Sequence, residues 1–400
     1  MNFKIGFWNY VNLGTLPNDK AVSDWKELGM TLPMTFTYDP TLHKKEDMLA
    51  LLDECHKAGM QVIVCDRRTN FRTLLKTQDR ASFEQGVKDA AKDFGNHPAV
   101  FGFEVGDEPS TYQNGWEVAV DVYKMVAAAA PHLTPFINMY PLWAGEQSFY
   151  DAMGVHTTDY CAKNSDFMKR TGAKLISYDC YSQCSFFEKE QKYYEKQEGI
   201  ELYFKNLNIF RQAAEENGGA YFNSILSVGH WAYREPTEDD LRWQLSTSIA
   251  HGAEGVMWFF LYERKLDGSF RRPPIDLFWN RTPLFDELAR QNRIVNEYYL
   301  PLLEGYRFDK VWHYLWSYGD TPRFTGNEEL TGLFHRINPV PTAISRFVND
   351  EGKTAYVIVN LSQTEPTKIN PTFTGEKAKH NGSFWFAPGQ MMIFTDERKV

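Results

Sequence analysis

Residues 100–109 read Val-Phe-Gly-Phe-Glu-Val-Gly-Asp-Glu-Pro. The first six form a nearly continuous apolar run, the pattern of a strand buried on both faces of a parallel sheet, and the run ends in an acidic pair, Asp107 and Glu108. Helical periodicity precedes it at 81–94 and follows it at 116–130. The same alternation extends outward in both directions. Strand patterns occupy 3–8, 31–37, 61–65, 134–139, 174–178, 221–227 and 255–261, and amphipathic stretches occupy 19–28, 46–58, 198–217, 238–251 and 283–299. Gly29 and Gly59 supply stop signals for the first two helices, and Thr237 with Asp240 predicts a capping box for the helix at 238. Eight strand patterns alternating with helices over about 300 residues predict an α/β fold, a (β/α)8 barrel. The rival, a doubly wound open sheet, needs a Gly-rich phosphate turn after the first strand, and Phe7-Trp-Asn-Tyr-Val-Asn-Leu-Gly has none.

From about residue 306 the helical period disappears. Short alternating runs at 311–316, 331–337, 343–348, 354–359, 383–386 and 391–394 are separated by turn clusters such as Asn349-Asp-Glu-Gly and His380-Asn-Gly. The expectation is a barrel over 1–305 and a small antiparallel β-sandwich over 306–400.

The 400 residues carry 43 basic and 52 acidic side chains, a net charge of −9, with no Lys/Arg stripe for a nucleic acid to follow. No apolar run approaches the roughly 20 residues of a spanning helix. The N-terminus shows no signal-peptide pattern, which leads to the expectation of a cytoplasmic protein. Of the five cysteines, Cys180 and Cys184 are close in sequence but have no histidine nearby, so reduced thiols are expected and no metal. No cofactor is implied. Aromatic residues make up 15%, which suits stacking on flat apolar ligand faces such as sugars and equally suits an aromatic-rich core.

In a barrel of this kind the chemistry sits where the strands run out at their C-terminal ends. The first strand ends at Trp8 and Asn9, the second at Tyr38 and Asp39, and the third at Asp66, Arg67 and Arg68. The fourth ends at Asp107 and Glu108, the fifth at Asn138 and Tyr140, and the sixth at Asp179 and Tyr181. His230, Trp231 and Tyr233 follow the seventh, and Trp258, Tyr262 and Glu263 belong to the eighth. Two carboxyls facing one cleft are the minimal equipment for cleaving a glycosidic bond: one protonates the leaving oxygen, the other attacks the anomeric carbon or activates water. An acidic pair at a strand end is costly to bury without partners or a proton, and a general acid of raised pKa is one way to meet that cost.

Each candidate also has a structural reading. Asp107 and Glu108 could open a solvated loop, Asp179 could pair with an arginine, and Glu263 with Arg264. Glu104, in mid-strand, reads as an interior layer residue, and Arg67 and Arg68 as ion-pair donors. His230 could be a satisfied structural histidine, and Trp143, Trp231, Tyr233, Trp258 and Trp279 core residues instead of stacking platforms.

At Gly106-Asp-Glu-Pro the sequence resembles the clan A glycoside hydrolase superfamily, whose fourth strand ends in an Asn-Glu-Pro-like motif, and more closely a bacterial branch with Asp-Glu-Pro there. The resemblance continues through Ile176-Ser-Tyr-Asp-Cys-Tyr, Gly229-His-Trp-Ala-Tyr-Arg-Glu-Pro-Thr and Leu241-Arg-Trp-Gln. It extends through His251-Gly-Ala-Glu-Gly-Val-Met-Trp-Phe, Pro283-Leu-Phe and Tyr356-Val-Ile-Val-Asn-Leu-Ser. It implies a barrel with a trailing sandwich, action on carbohydrate, and the proton-donor role for Glu108. One departure stands out. The clan places its nucleophilic glutamate at the end of the seventh strand, and Phe222-Asn-Ser-Ile-Leu-Ser-Val-Gly-His has no carboxylate; Glu235, further on, reads as a helix lead-in.

The resulting expectation is a glycosidase with Glu108 as general acid, Asp179 as partner carboxylate, Asp107 tuning Glu108, and Glu263 as the alternative second carboxylate. The empty seventh-strand position favours inversion. Asp66, Arg67, Asn138, Tyr140, Tyr181, His230, Trp231 and Trp258 are the expected sugar contacts, with carbohydrate as the partner and neither nucleic acid nor membrane. The alternatives are a catalytically silent carbohydrate-binding protein on a degenerate barrel, and a transglycosylase or phosphorylase. Sugar identity, linkage and oligomeric state are not legible in the sequence.

Overall fold

The computed structural model describes residues 1–143, 145–185, 198–263 and 269–396. Seven parallel strands form one curled sheet: β1 (Lys4–Phe7), β2 (Val62–Val64), β3 (Val100–Asp107), β4 (Phe136–Met139), β5 (Leu175–Asp179), β6 (Ala220–Leu226) and β7 (Gly255–Phe259), in the order β1-β7-β6-β5-β4-β3-β2. The eighth strand pattern, 31–37, makes no continuous ladder, yet it closes the ring between β1 and β2. Leu32 N–H donates to Ile5 O, Thr35 N–H to Ile63 O, Ile63 N–H to Pro33 O and Tyr38 N–H to Cys65 O. Pro33 has no N–H to give, so the pairing there is reduced to isolated bridges. Gly6 permits the approach, since a Cβ on it would lie 2.1 Å from the Leu32 carbonyl oxygen.

Around this ring lie α1 (Asn18–Glu27), α2 (Lys45–Lys57), α3 (Phe71–Thr77), α4 (Arg80–Phe94), α5 (Gly115–Ala129), α6 (Glu146–Met153), α7 (Tyr160–Thr171), α8 (Glu198–Glu216), α9 (Glu238–Ala250) and α10 (Pro283–Ile294). The capping box at Thr237 and Asp240 is present in both directions. Three helices have no counterpart in the sequence reading. Two are short, α3 with seven residues and α6 with eight. In α7 the buried face of Tyr160, Phe167 and Met168 includes Asn164, whose amide donates back to the Tyr160 carbonyl, so the apolar period is broken.

The last seven strands are β8 (Arg307–Tyr314), β9 (Leu330–Ile337), β10 (Thr342–Val348), β11 (Thr354–Asn360), β12 (Thr367–Phe373), β13 (Phe384–Phe386) and β14 (Met391–Phe394). They form two antiparallel sheets, β14-β11-β10-β8 and β13-β12-β9, whose facing sides share a core that includes Leu333, Ile344, Ile358, Ile369 and Phe394. β12 escaped the sequence reading because Pro371 sits in its middle. The four-stranded sheet packs on α9, which is buried almost all round and therefore has little amphipathic pattern. Trp243 Nε1 donates to Leu361 O, and Ser345 Oγ donates to Ala250 O. At the same junction His251 and His313 are fully buried, with their Nε2 atoms 3.2 Å apart.

The barrel interior is filled by Leu32, Met34, Ile63, Phe136, Leu175, Phe222, Met257 and their neighbours, so the open space lies at the C-terminal mouth. All five cysteines are free thiols, and Cys161 alone is incompletely buried. Among the described residues no helix is long and apolar enough to cross a membrane.

Candidate active site

The site begins with an irregularity in β3. Glu104 is paired with Phe136, but Gly106 is paired with Ile137 and Asp107 with Asn138, so β3 carries one extra residue. Such a bulge bends the strand and re-aims the side chains after it. The extra residue is Val105, and only glycine fits directly after it: Gly106 has φ 145°, and a Cβ there would lie 2.2 Å from the Phe71 ring. Two residues on, Glu108 adopts φ 50°, a left-handed conformation uncommon for a glutamate, held by its N–H donating to Asn138 O at 2.8 Å. The consequence is that Asp107 and Glu108 both face the mouth, where β4 and β5 deliver Asn138 and Asp179.

Asn138 organises the carboxylates. Its Nδ2 donates to Asp107 Oδ1 at 3.1 Å and to Asp179 Oδ1 at 2.7 Å. Its Oδ1 accepts from Ser177 Oγ at 3.0 Å and Ser224 Oγ at 3.4 Å, and Ser224 in turn accepts from Trp8 Nε1. With hydroxyls on its oxygen, the amide has one orientation, and its two N–H groups serve two different acids.

Burial lifts the pKa of every carboxyl here, and the carboxyls lift one another. Glu108 is pushed up to about 9 by burial and by the charges of Asp179 and Asp107. Asp179 is pushed up to about 7 by burial and by Asp107, against the Asn138 hydrogen bond. Asp107 is also raised by burial, opposed by Asn138 and by the positive charge of Arg72. Glu104 lies deeper, raised to about 7 mainly by burial, with Asn70 Nδ2 donating to both of its oxygens. Separated acid strengths in one cleft are what acid–base chemistry requires.

A cavity of about 200 Å³ joins Asp107, Glu108, Asn138 and Asp179 to Trp8, Tyr10, Tyr181, His230, Trp231, Phe259 and Phe270. Trp231 is 74% exposed at its rim, a flat surface open to a ligand. His230 is 4% exposed, yet neither ring nitrogen has a hydrogen-bond partner among the described residues. Burial lowers its pKa to about 4, so it is a neutral imidazole with one donor and one acceptor unspent. A larger lobe of about 810 Å³ adjoins, sharing Trp8, Tyr10 and Asp107 with the first and running over Asp39, Asp66, Arg67, Arg72 and Lys76.

Seven of the sequence candidates therefore meet around one small cavity: Asp107, Glu108, Asn138, Asp179, Tyr181, His230 and Trp231. Asp66 and Arg67 line the larger lobe, but the Asp66 carboxylate is taken up by Arg68, with Nη2 to Oδ2 at 2.8 Å, and Arg67 pairs with Asp39 at 3.2 Å. Tyr140 lines neither space; its pKa is raised by burial and, next, by Glu108, and it packs on Trp143. Two further candidates are not brought to the cavity. Trp258 is fully buried, with Nε1 donating to Asn292 Oδ1, because its ring points away from the barrel axis into the helix layer. Glu263 lines neither of these two cavities, and its N–H is paired with Ile275 O. Arg264 lies outside the described residues.

Sequence reasoning missed Asn70 and Arg72. Asn70 caps α3 by accepting the Arg72 N–H and at the same time holds Glu104, while Arg72 Nη2 donates to the Asp107 carbonyl at 2.7 Å. The one signal for them was an Asn in front of an apolar residue, a cap for a helix too short to show a period. Tyr10, Phe259 and Phe270 were missed as well. Among the described residues no group of His, Cys, Asp and Glu could hold a metal ion.

No protein-family model matches the chain. No curated protein matches it. Among solved structures, the chain is similar to a β-galactosidase from the psychrophilic Marinomonas ef1, at 12% identity and TM-score 0.54 over 74% of this chain and 60% of that one. A β-galactosidase from the Antarctic haloarchaeon Halorubrum lacusprofundi gives 10% and 0.54 over 73% and 58%. An Anoxybacillus α-amylase gives 11% and 0.54 over 98% of this chain and 97% of that one. The chain spans about 60% of the length of the two β-galactosidases. At these identities the likeness is one of fold alone.

Proposed function

We propose that the protein hydrolyses a glycosidic bond in a carbohydrate, with Glu108 as general acid and Asp179 as partner carboxylate. The observation that carries this reading is the buried Glu108 carboxyl, raised to about 9 beside Asp179 and Asp107 at the mouth of a glycosidase-type barrel. At neutral pH Glu108 holds a proton and can deliver it to the leaving oxygen. Asp179, with the lower pKa, supplies the charged carboxylate that activates water or attacks the anomeric carbon. Asp107 raises both, and Asn138 fixes Asp107 and Asp179 in place. Trp231 offers a stacking surface for a sugar ring, and His230 an unspent donor and acceptor for its hydroxyls.

The test is turnover of a panel of chromogenic glycosides by wild type and Glu108→Gln. Loss of about a hundredfold or more in kcat with an unchanged melting temperature is expected for a general acid; near-normal turnover overturns the assignment. One observation favours a second reading, a silent carbohydrate-binding protein: the mouth beyond β6 presents His230 where a carboxylate would serve a retaining enzyme. Oligosaccharide binding with no product from the wild type on any glycan would select it.

A further inference from the structure

The larger lobe has a charge pattern that cleavage of a neutral sugar does not need. Its carboxylates are occupied within the protein: Asp66 by Arg68, Asp39 by Thr41 and Arg67, Glu104 by Asn70, and Asp107 by Asn138. Its cations are not matched in the same way. Arg72 and Lys76, one turn apart on α3, both line the lobe and both are exposed. Like charges at that spacing repel, and neither has an ion-pair partner among the described residues. Arg72 gives a hydrogen bond only from Nη2 in its side chain, to a neutral carbonyl, although its charge also lowers the pKa of Asp107, Glu108 and Glu104 from a distance. Arg67 joins them, its side chain 55% exposed despite the pair with Asp39, and Thr73 and Thr77 add hydroxyls from α3. This cationic wall belongs to a chain of net charge −9, and it borders the lobe that shares Asp107 with the cavity of Glu108.

We propose that the larger lobe receives the carboxylate of a uronic acid residue, so that the substrate is an acidic oligosaccharide lying across both lobes. This rests on the glycoside-cleaving reading of the site. A volume of about 810 Å³ falls in the range of pockets that enclose small organic ligands. The free N–H groups of Arg72 can meet a carboxylate in plane, and Lys76 adds a point charge beside it.

The experiment uses uronic acid oligosaccharides from pectin and glucuronoxylan hydrolysates and the same material after chemical reduction of its carboxyls to neutral sugar. Binding and product release are measured for wild type and Lys76→Glu, a residue outside the acid–base cluster. The expected result is a preference of about tenfold or more for the acidic set in the wild type, weakened by salt and lost in Lys76→Glu, with the neutral set unaffected. Equal or better handling of the reduced set overturns the inference and leaves the hydrolase reading intact. Selective binding of the acidic set, dependent on Lys76 and without any product, upholds the lobe and sinks the hydrolase. Neither set bound nor cleaved overturns the inference.

Discussion

Asn138 and Asp179 are joined by a 2.7 Å hydrogen bond from Nδ2 to Oδ1, and the other proton of the same amide goes to Asp107. Burial and Asp107 raise the pKa of Asp179 and this bond opposes the rise, so Asn138 favours the charged form of the proposed partner carboxylate in a place that disfavours charge. Asn138→Ala is expected to raise the pKa of Asp179 further and move the acid limb of kcat/KM to higher pH, with kcat down about tenfold to a hundredfold. Steady-state kinetics across pH checks this; an unmoved acid limb would show that the amide merely packs.

The pH profile of the wild type should be a bell. In the proposed mechanism Asp179 is charged and Glu108 protonated, so activity is expected to rise through about 7 and fall through about 9. The two limbs belong to the coupled cluster and not to either residue alone. Glu108→Gln should abolish the descending limb of whatever activity remains. A profile flat from pH 6 to pH 10 would contradict the assignment.

The two ring nitrogens of His230 are buried and have no protein hydrogen-bond partner among the described residues, and a buried polar atom left without a partner costs roughly 1–3 kcal/mol. His230→Leu is therefore expected to leave stability unchanged or raise it by about 1 kcal/mol while raising KM roughly tenfold. Denaturant unfolding and Michaelis kinetics on one preparation separate the two effects. A loss of stability with KM unchanged would make His230 a structural residue.

The His251–His313 pair should make the protein sensitive to acid. His251 Nδ1 bonds to Thr247 O and His313 Nδ1 accepts the Tyr318 N–H, so each ring is neutral with its tautomer set by its partners. Burial lowers His251 to about 3, and burial with His251 lowers His313. Folded values below the unfolded value of about 6.5 mean that this contribution is complete above that pH and is lost as pH falls from there toward 3. Melting temperatures at pH 7 and pH 5 should drop more for wild type than for His251→Gln. Equal drops would remove the pair from the account.

Reading the sequence located the fold through short-range physics. Strands buried on both faces show themselves as apolar runs, and the Thr237–Asp240 box marks the start of α9 directly. The strand ends then follow, and with them Asp107, Glu108, Asn138, Asp179, Tyr181, His230 and Trp231, which the barrel brings to one cavity. A strand's position in the sequence does not by itself say which way each side chain points. Trp258 lies inside its strand and faces the helix layer, and Glu263 has its N–H paired with Ile275 O and lines neither cavity.

The sequence by itself determined which strands line the mouth and which carboxyls they carry, because periodicity and strand ends are local properties of the chain. Only the tertiary structure decided how those groups act on one another. The one-residue bulge at Gly106 turns Asp107 toward Asn138, and the left-handed Glu108 follows from it. Arg72, 35 positions earlier in sequence, reaches the Asp107 carbonyl from a helix too short to announce itself. Hydrogen-bond partners, burial and the pKa values that follow depend on distances across the barrel, and no local pattern encodes those distances.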